Sequence, residues 1–393
     1  MALKRSVSDA TVRGRRVLTR VDYNVPLGTN GQIADDRRIS ESLPTLQHLQ
    51  AHGARTILLS HLGRPEGHRD PACSLRPVAR RLSSLLGQPV AFSDDCVGVG
   101  AIDATTRLKD GEFLLLENLR FHAGEEANDL GFAAQLAGLG ELFVEDAFGA
   151  VHRAHASTVG VPRRLPAYAG FLVNREIREL SRLVERVERP YMVLVGGAKV
   201  ADKLPLLRSF LGKADAVLIG GALALPFLAA TSPPAVRFGI EPALLQEAKA
   251  FLKVAEELRT RVVLPNDLVV ESSAAKPPIV YSVKKLPKGS NVRDLGPDSR
   301  AYFSEILQGS RTVFWNGPLG VAEDSRYAAG TREVLAALAR IPGYHVGAGG
   351  DSARIIQELG VDAAFQFVST GGGAALEFVQ GATLPGLAVL PDA

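Results

Sequence analysis

Tyr191-Met-Val-Leu-Val-Gly-Gly-Ala-Lys-Val-Ala-Asp-Lys203 runs from an apolar stretch through a glycine pair into a segment carrying Lys199 and Lys203. A continuous apolar run of this length suits a strand buried on both faces of a parallel sheet. The glycines let the backbone approach a phosphate, and a helix N-terminus favours the phosphate's charge. Lys199 and Lys203 are spaced to share one helical face. This is not a Walker A loop, which needs another spacing and a Ser or Thr after the lysine. Ala216-Val-Leu-Ile219 begins the next strand. Strand, turn, helix, strand is the unit of an open parallel sheet covered by helices, with ligands beyond the carboxyl ends of its strands.

The same alternation extends in both directions. Apolar runs at Arg16–Asp22, Arg55–Ser60, Phe113–Glu117 and Leu142–Asp146 precede it; runs at Arg261–Leu264, Thr312–Trp315 and Phe365–Val368 follow. Between them, Ile39, Leu43, Leu46 and Leu49 define one helical face, with Gly53 as its cap. A chain of 393 residues is too long for one ordinary core, so two α/β domains are expected. Asn174 to Arg189, rich in Arg and Glu with Leu180, Leu183 and Val184 on its apolar side, reads as a helix joining them. Ser272 to Gly289 reads as loop and edge strand.

The composition is 46% hydrophobic and 22% charged, and the net charge is only +3. That fits a soluble enzyme and provides no general polyanion-binding surface, so anion recognition must be local. Cys73 and Cys96 form no metal-binding spacing and no disulfide framework, which points to a reducing compartment. The basic N-terminus lacks the apolar stretch of a signal peptide. The longest apolar run, Ala216 to Ala230, is interrupted by Gly220, Gly221 and Pro226 and is short of the ~20 residues that span a bilayer.

In the first half, chemically expressive residues cluster just after strands. They are Asp22 and Asn24, then Arg38, then His61 and Arg64, then Arg120 and His122, then His152, Arg153 and His155. Arginine offers a planar, permanently charged fork for phosphate or carboxylate. Four arginines at strand ends are expected to converge on one small, highly anionic substrate, with Asp22 and Asn24 on its hydroxyls. The histidines are either hydrogen-bond donors or packed imidazoles. In the second half, Trp315-Asn-Gly-Pro-Leu-Gly320, Gly347-Ala-Gly-Gly-Asp-Ser352 and Ser369-Thr-Gly-Gly-Gly373 repeat the glycine turn after a strand. Asp351 suits a magnesium ion that bridges phosphates, and Gly371 to Gly373 suit an anion nest.

Taken together, these segments resemble the phosphoglycerate kinase family from about Val17 to Leu390. The resemblance implies two doubly wound, Rossmann-like parallel-sheet domains. Residues 1–172 would bind phosphoglycerate, 173–189 would form the interdomain helix, 190–374 would bind nucleotide, and 375–393 would return to the N-terminal domain. It implies a 3-phosphoglycerate or 1,3-bisphosphoglycerate site of Asp22, Asn24, Arg38, His61, Arg64, Arg120 and Arg153. It implies an ATP or ADP site of Gly197, Lys203, Gly221, Asn316, Glu323, Gly350, Asp351, Ser352, Gly371, Gly372 and Gly373. Glu323 would accept ribose hydroxyls and Asp351 would help hold Mg2+. Arg38 and Lys199 would be the catalytic cations, in different halves, so that the site is complete only on domain closure. A cytoplasmic monomer without nucleic-acid or membrane partners is also implied.

The departures from the family pattern all fall in the nucleotide half. Ala222 stands for a glycine near the adenine, Leu225 and Pro226 for polar residues, Asn266 for an apolar residue and Ala348 for a glycine. A Gly-x-Ser-Leu segment expected near 238–244 is not visible. Ala222 would either narrow the purine slot or sit at a positive φ that its side chain resists. These changes motivate a second reading, a non-enzymatic paralogue that binds phosphoglycerate with an impaired nucleotide site. A nicotinamide-dependent dehydrogenase is a third reading, but it lacks a clean Gly-x-Gly-x-x-Gly with an acid about 20 residues on.

Overall fold

Most of the apolar runs become strands buried on both faces; Arg261–Val263 is partly exposed. In the computed structural model, which describes residues 2–28, 31–231, 239–272 and 277–393 (backbone only at 351), the chain forms two compact units. One comprises Met1–Leu180 with Ala382–Ala393; the other is Ser181–Gly381. The first contains β1 (Arg16–Arg20), β2 (Arg55–Leu59), β3 (Val90–Ser93), β4 (Phe113–Leu116), β5 (Leu142–Glu145) and β6 (Ala167–Ala169). They form one parallel sheet in the order β3-β4-β2-β1-β5-β6. Its first crossover helix, Arg37–Ala51, buries Ile39, Leu46 and Leu49, and Gly53 follows it at φ +69°. Val21, Tyr23, Ile39, Leu58, Phe113 and Leu115 share a core on this side of the sheet.

The second unit has β7 (Tyr191–Val195), β8 (Ala216–Ile219), β9 (Arg261–Val263), β10 (Asp267–Val270), β11 (Ile279–Ser282) and β12 (Val292–Leu295). It continues with β13 (Thr312–Asn316), β14 (Tyr344–Gly347) and β15 (Phe367–Val368). Six of these make a parallel sheet in the order β15-β14-β13-β7-β8-β9, and β11-β10-β12 make a small antiparallel one. Trp315, Leu194, Phe303 and Leu335 are fully buried in its main core. Both parallel sheets are doubly wound from a central strand, β1 or β7. The switch points therefore fall between β1 and β5, and between β7 and β13.

Two boundaries differ from the sequence expectation. The helix expected at 173–189 runs Phe171–Ser181. Residues 182–185 follow as a turn, with Glu185 N donating to Ser181 O (2.8 Å), and the Arg182 guanidinium lies 3.5 Å from the centre of the Tyr344 ring. Pro190 further on disfavours helix in the residue before it. The returning segment starts at Ala382 rather than 375, because helix Gly373–Gln380 stays with the second unit. That segment pairs with the N-terminus: Arg5 N donates to Pro391 O (2.9 Å) and Lys4 Nζ meets Asp392 Oδ1 at 2.6 Å. Gly386 N donates to Val151 O at 2.8 Å. Among the described residues no helix is long and apolar enough to cross a membrane.

Candidate functional site

At the carboxyl end of β1 the chain turns through Asp22 and Asn24, and both are braced. Asp22 Oδ2 lies 2.9 Å from Arg38 Nη1, and Asp22 Oδ1 accepts from Asn24 N (3.2 Å). Asn24 Oδ1 accepts from Gly63 N (3.0 Å), which fixes the loop after β2. Arg38, the second residue of its helix, also donates from Nη1 to Asn24 O (3.2 Å). Its Nε and Nη2 make no hydrogen bond among the described residues, so two edges of the fork remain for a ligand.

Arg20, the last residue of β1, anchors this end of the sheet although it is only 1% exposed. Its Nε donates to Ser157 Oγ (2.9 Å), its Nη1 to Val21 O (2.5 Å), and its Nη2 lies 3.0 Å from His61 Nδ1. A guanidinium only donates, so His61 Nδ1 accepts and the ring carries its proton on Nε2. Burial, and then the charges of Arg20, Arg120, Arg38 and Arg153, hold the His61 pKa well below its ordinary value. The imidazole is therefore neutral, with Nε2–H as its remaining donor. Arg20 meets the His61 ring directly, and Arg38 and Arg120 reach the adjoining loops through Asn24 and Gly63.

Arg120 is 3% exposed. Its Nη1 donates to Gly63 O (2.8 Å), and its Nε lies 3.0 Å from Glu126 Oε1. Asn118 reinforces the same loop, donating to Leu62 O (2.7 Å) and Cys73 O (2.8 Å). Arg153 is half-buried after β5. Arg64 is exposed and makes no side-chain ion pair or hydrogen bond among the described residues. The sequence reading overlooked Arg20, Glu125 and Ser157. Glu125 is fully buried, accepting from Ser157 Oγ (2.6 Å) and Ser157 N (3.0 Å), and burial raises its pKa. His155 is pushed down to about 4 by burial, then by Arg120, Arg20 and Arg153. His122 pairs with Asp95 instead, at 2.7 Å.

In the second unit the turns after β7 and β13 approach backbone to backbone. A Cβ on Gly317, at φ +86°, would lie 2.6 Å from Gly196 O, so only glycine fits there. Lys203 Nζ hydrogen-bonds Asn316 Oδ1, and Asn316 Nδ2 donates to Ala348 O (2.6 Å). Ser352 Oγ accepts from Gly317 N (3.0 Å). Beyond these turns lies a cleft of about 560 Å³, a size suited to a small molecule. It is lined by Gly197, Lys199, Lys203, Gly221, Ala222, Pro318 and Glu323, and by Asn291 and Arg293, which the sequence reading did not single out.

Lys199 caps helix Val200–Ser209 and is exposed, with no ion pair among the described residues. Glu323 is held by Arg354 at 2.8 Å. Gly350 opens helix Gly350–Leu359, which begins beside Asn316; the side chain of Asp351 lies outside the described residues. Gly371 N donates to Ser369 Oγ (3.1 Å), and Gly372 at φ +54° leads into helix Gly373–Gln380. The positive φ expected at Ala222 falls instead on Gly221, at +64°. Leu225 is ordinarily helical, and Pro226 occupies the first turn of helix Leu225–Thr231, where its missing donor costs little. Phe238, where the absent Gly-x-Ser-Leu segment would begin, lies outside the described residues.

A family model described as phosphoglycerate kinase matches residues 7–382. A phosphoglycerate kinase of Moorella thermoacetica is 45% identical over 391 residues, 99% of each chain. One of Thermomicrobium roseum is 46% identical over 390 residues, also 99% of each. Among solved structures, phosphoglycerate kinase from Coxiella burnetii superposes with a TM-score of 0.86 at 35% identity, covering 98% of both chains. With a family model spanning residues 7–382 and relatives 45–46% identical over almost the whole chain, the chain belongs to the phosphoglycerate kinase family.

Proposed function

We propose that the chain catalyses reversible phosphoryl transfer between 1,3-bisphosphoglycerate and ADP, giving 3-phosphoglycerate and ATP. The observation that carries the acid-substrate half is that Arg20 meets the His61 ring while Arg38 and Arg120 are tied to Asn24 and Gly63 in the loops beside it. A compact trianion is the ligand such a cluster matches. In this reading the first unit binds phosphoglycerate and the second binds nucleotide. Asp22 and Asn24 take substrate hydroxyls, and His61 Nε2–H donates to substrate oxygen. Arg38, Arg64, Arg120 and Arg153 supply positive charge to its phosphate and carboxylate.

The nucleotide half rests on the glycine-walled cleft and on Lys203 held against Asn316. Mg2+ enters with the nucleotide. The start of helix Gly350–Leu359, beside Asn316, suits the nucleotide's phosphates, and Asp351 is the carboxylate that would hold the ion they carry. When bound, the ion neutralises phosphate charge.

Transfer to the carboxylate needs no general base, because the acceptor oxygen is already ionised. The bond from phosphorus to the leaving oxygen breaks as the bond to the acceptor oxygen forms in line with it. The protein's work is positioning and neutralising the equatorial oxygens, assigned here to Arg38 and Lys199. One is carried by each unit, so both units are required. The enzyme is read as a cytoplasmic monomer acting on small molecules, without nucleic-acid or membrane partners. The free thiols of Cys73 and Cys96 suit a reducing compartment.

The test is nucleotide consumption that depends on 3-phosphoglycerate and magnesium, run with ATP and GTP in parallel. Turnover with ATP is expected. No turnover with either nucleotide, with phosphoglycerate still bound, would replace this reading with the non-enzymatic one. Turnover only with GTP would relocate the effect of Ala222 to base selection.

A further inference from the structure

Adjacent parallel strands β3 and β4 leave the sheet at the same end, since Ser93 pairs with Leu116. The turn after β3 carries Asp95 and Cys96, and the turn after β4 carries His122. His122 Nε2 lies 2.7 Å from Asp95 Oδ1, and Cys96, the residue after Asp95, is 1% exposed. One ligand atom from each of the three lies within 4.8 Å of the others. The Phe132 ring stacks on His122 with centroids 5.2 Å apart, which fixes the plane of the imidazole. Phosphoryl transfer uses none of these three residues.

We propose that Asp95, Cys96 and His122 form a binding site for a thiophilic divalent cation of the Zn2+ class. Imidazole nitrogen, thiolate sulfur and carboxylate oxygen are the donors zinc takes, and three protein ligands leave a fourth position for water. Bond lengths near 2.0–2.3 Å separate the donors of a tetrahedral site by roughly 3.3–3.7 Å. The pair now 2.7 Å apart has to open by only about half an ångström or slightly more. His122 and Asp95 are partly exposed, with side chains 33% and 47% accessible, so a cation reaches the buried sulfur through them. The sulfur excludes magnesium, which demands oxygen ligands, so the site is chemically distinct from the nucleotide's metal.

The experiment titrates the reduced, metal-free full-length chain with Co2+, a coloured substitute for Zn2+. The expected result is a thiolate-to-cobalt charge-transfer band with tetrahedral visible absorption, displaced by Zn2+ and not by Mg2+. Cys96→Ser abolishes the charge-transfer band and Cys73→Ser keeps it. His122→Gln weakens Co2+ binding by more than the ~10–100-fold that loss of a supporting partner costs. Absence of the band in the unmodified chain overturns the proposal, as does its survival in Cys96→Ser or its loss in Cys73→Ser. Should Cys96→Ser fail to fold, the surface variant His122→Gln decides, and unchanged Co2+ affinity there refutes the site.

Discussion

Replacing Arg20 by methionine tests whether one buried guanidinium holds the anion cradle together. The substitution keeps an unbranched chain of similar bulk but removes three hydrogen bonds, to Ser157 Oγ, Val21 O and His61 Nδ1. Each hydrogen bond to a charged group is worth about 1.5–3 kcal/mol in isolation, but one guanidinium makes all three, so they do not add. The closer guide is removal of one partner from a buried charge network, about 3–5 kcal/mol. Glu125, fully buried and kept ionisable by Arg20 and Ser157, is the group left behind. A folded domain typically has about 5–15 kcal/mol in hand, so the variant is expected to fold with a lower denaturation midpoint. A second signature is independent of stability. Arg20 is the largest charge contribution depressing the His61 pKa, after burial itself. Its removal should move the His61 titration upward, toward the ordinary imidazole value, as read by NMR of the ring protons. Phosphoglycerate affinity should fall with it, because protonation changes what His61 offers a ligand and the loop after β2 loses its tie. A stability loss below about 1 kcal/mol together with an unmoved His61 titration would refute the reasoning.

Lys199→Ala should lower turnover by about 10²–10³-fold, the usual effect of deleting one donor to developing charge, while phosphoglycerate affinity stays unchanged; equal turnover removes Lys199 from the mechanism. Asn316→Ala removes the Lys203–Asn316 contact and leaves Ala348 O without its partner, so the nucleotide KM should rise and stability should fall by about 1–3 kcal/mol. An unaltered KM would separate that lysine from the nucleotide. Asp146, fully buried, has its pKa raised from 3.8 to about 8, chiefly by burial. The folded chain therefore keeps a proton that the unfolded chain has released, and this contribution to stability is lost as pH rises from 3.8 through about 8. Asp146→Asn has no such proton to lose. Its denaturation midpoint should decline less across that window than the parent's, and parallel declines would place the titration elsewhere.

What the sequence made readable and what it concealed divide along a physical line. A strand buried on both faces must be apolar throughout, so β7 and β8 are visible as uninterrupted runs. The glycines after them are visible because backbone meets backbone there, as a Cβ at Gly317 demonstrates by its approach to Gly196 O. Arginines on the loops beyond strand ends are legible because that is where a doubly wound sheet binds ligands. Arg20 breaks the first rule without announcing it. It sits inside an apolar run, where a charge ordinarily marks an edge, and its burial makes sense only with Ser157, which is 137 residues away in sequence. Glu125 was hidden for the same reason, because a Glu-Glu pair in a short helix reads as solvated surface until a distant serine is brought to it. The edge strands β3 and β6 are only four and three residues long, too short to register as periodic signals. Ala222 shows the converse error. The pattern suggested that a methyl group had replaced an obligatory glycine, yet the strained conformation falls one residue earlier, on Gly221. The substitution that seemed to threaten the nucleotide site therefore carries no backbone penalty, and its remaining effect is the shape of a cleft that Ala222 lines beside Gly221.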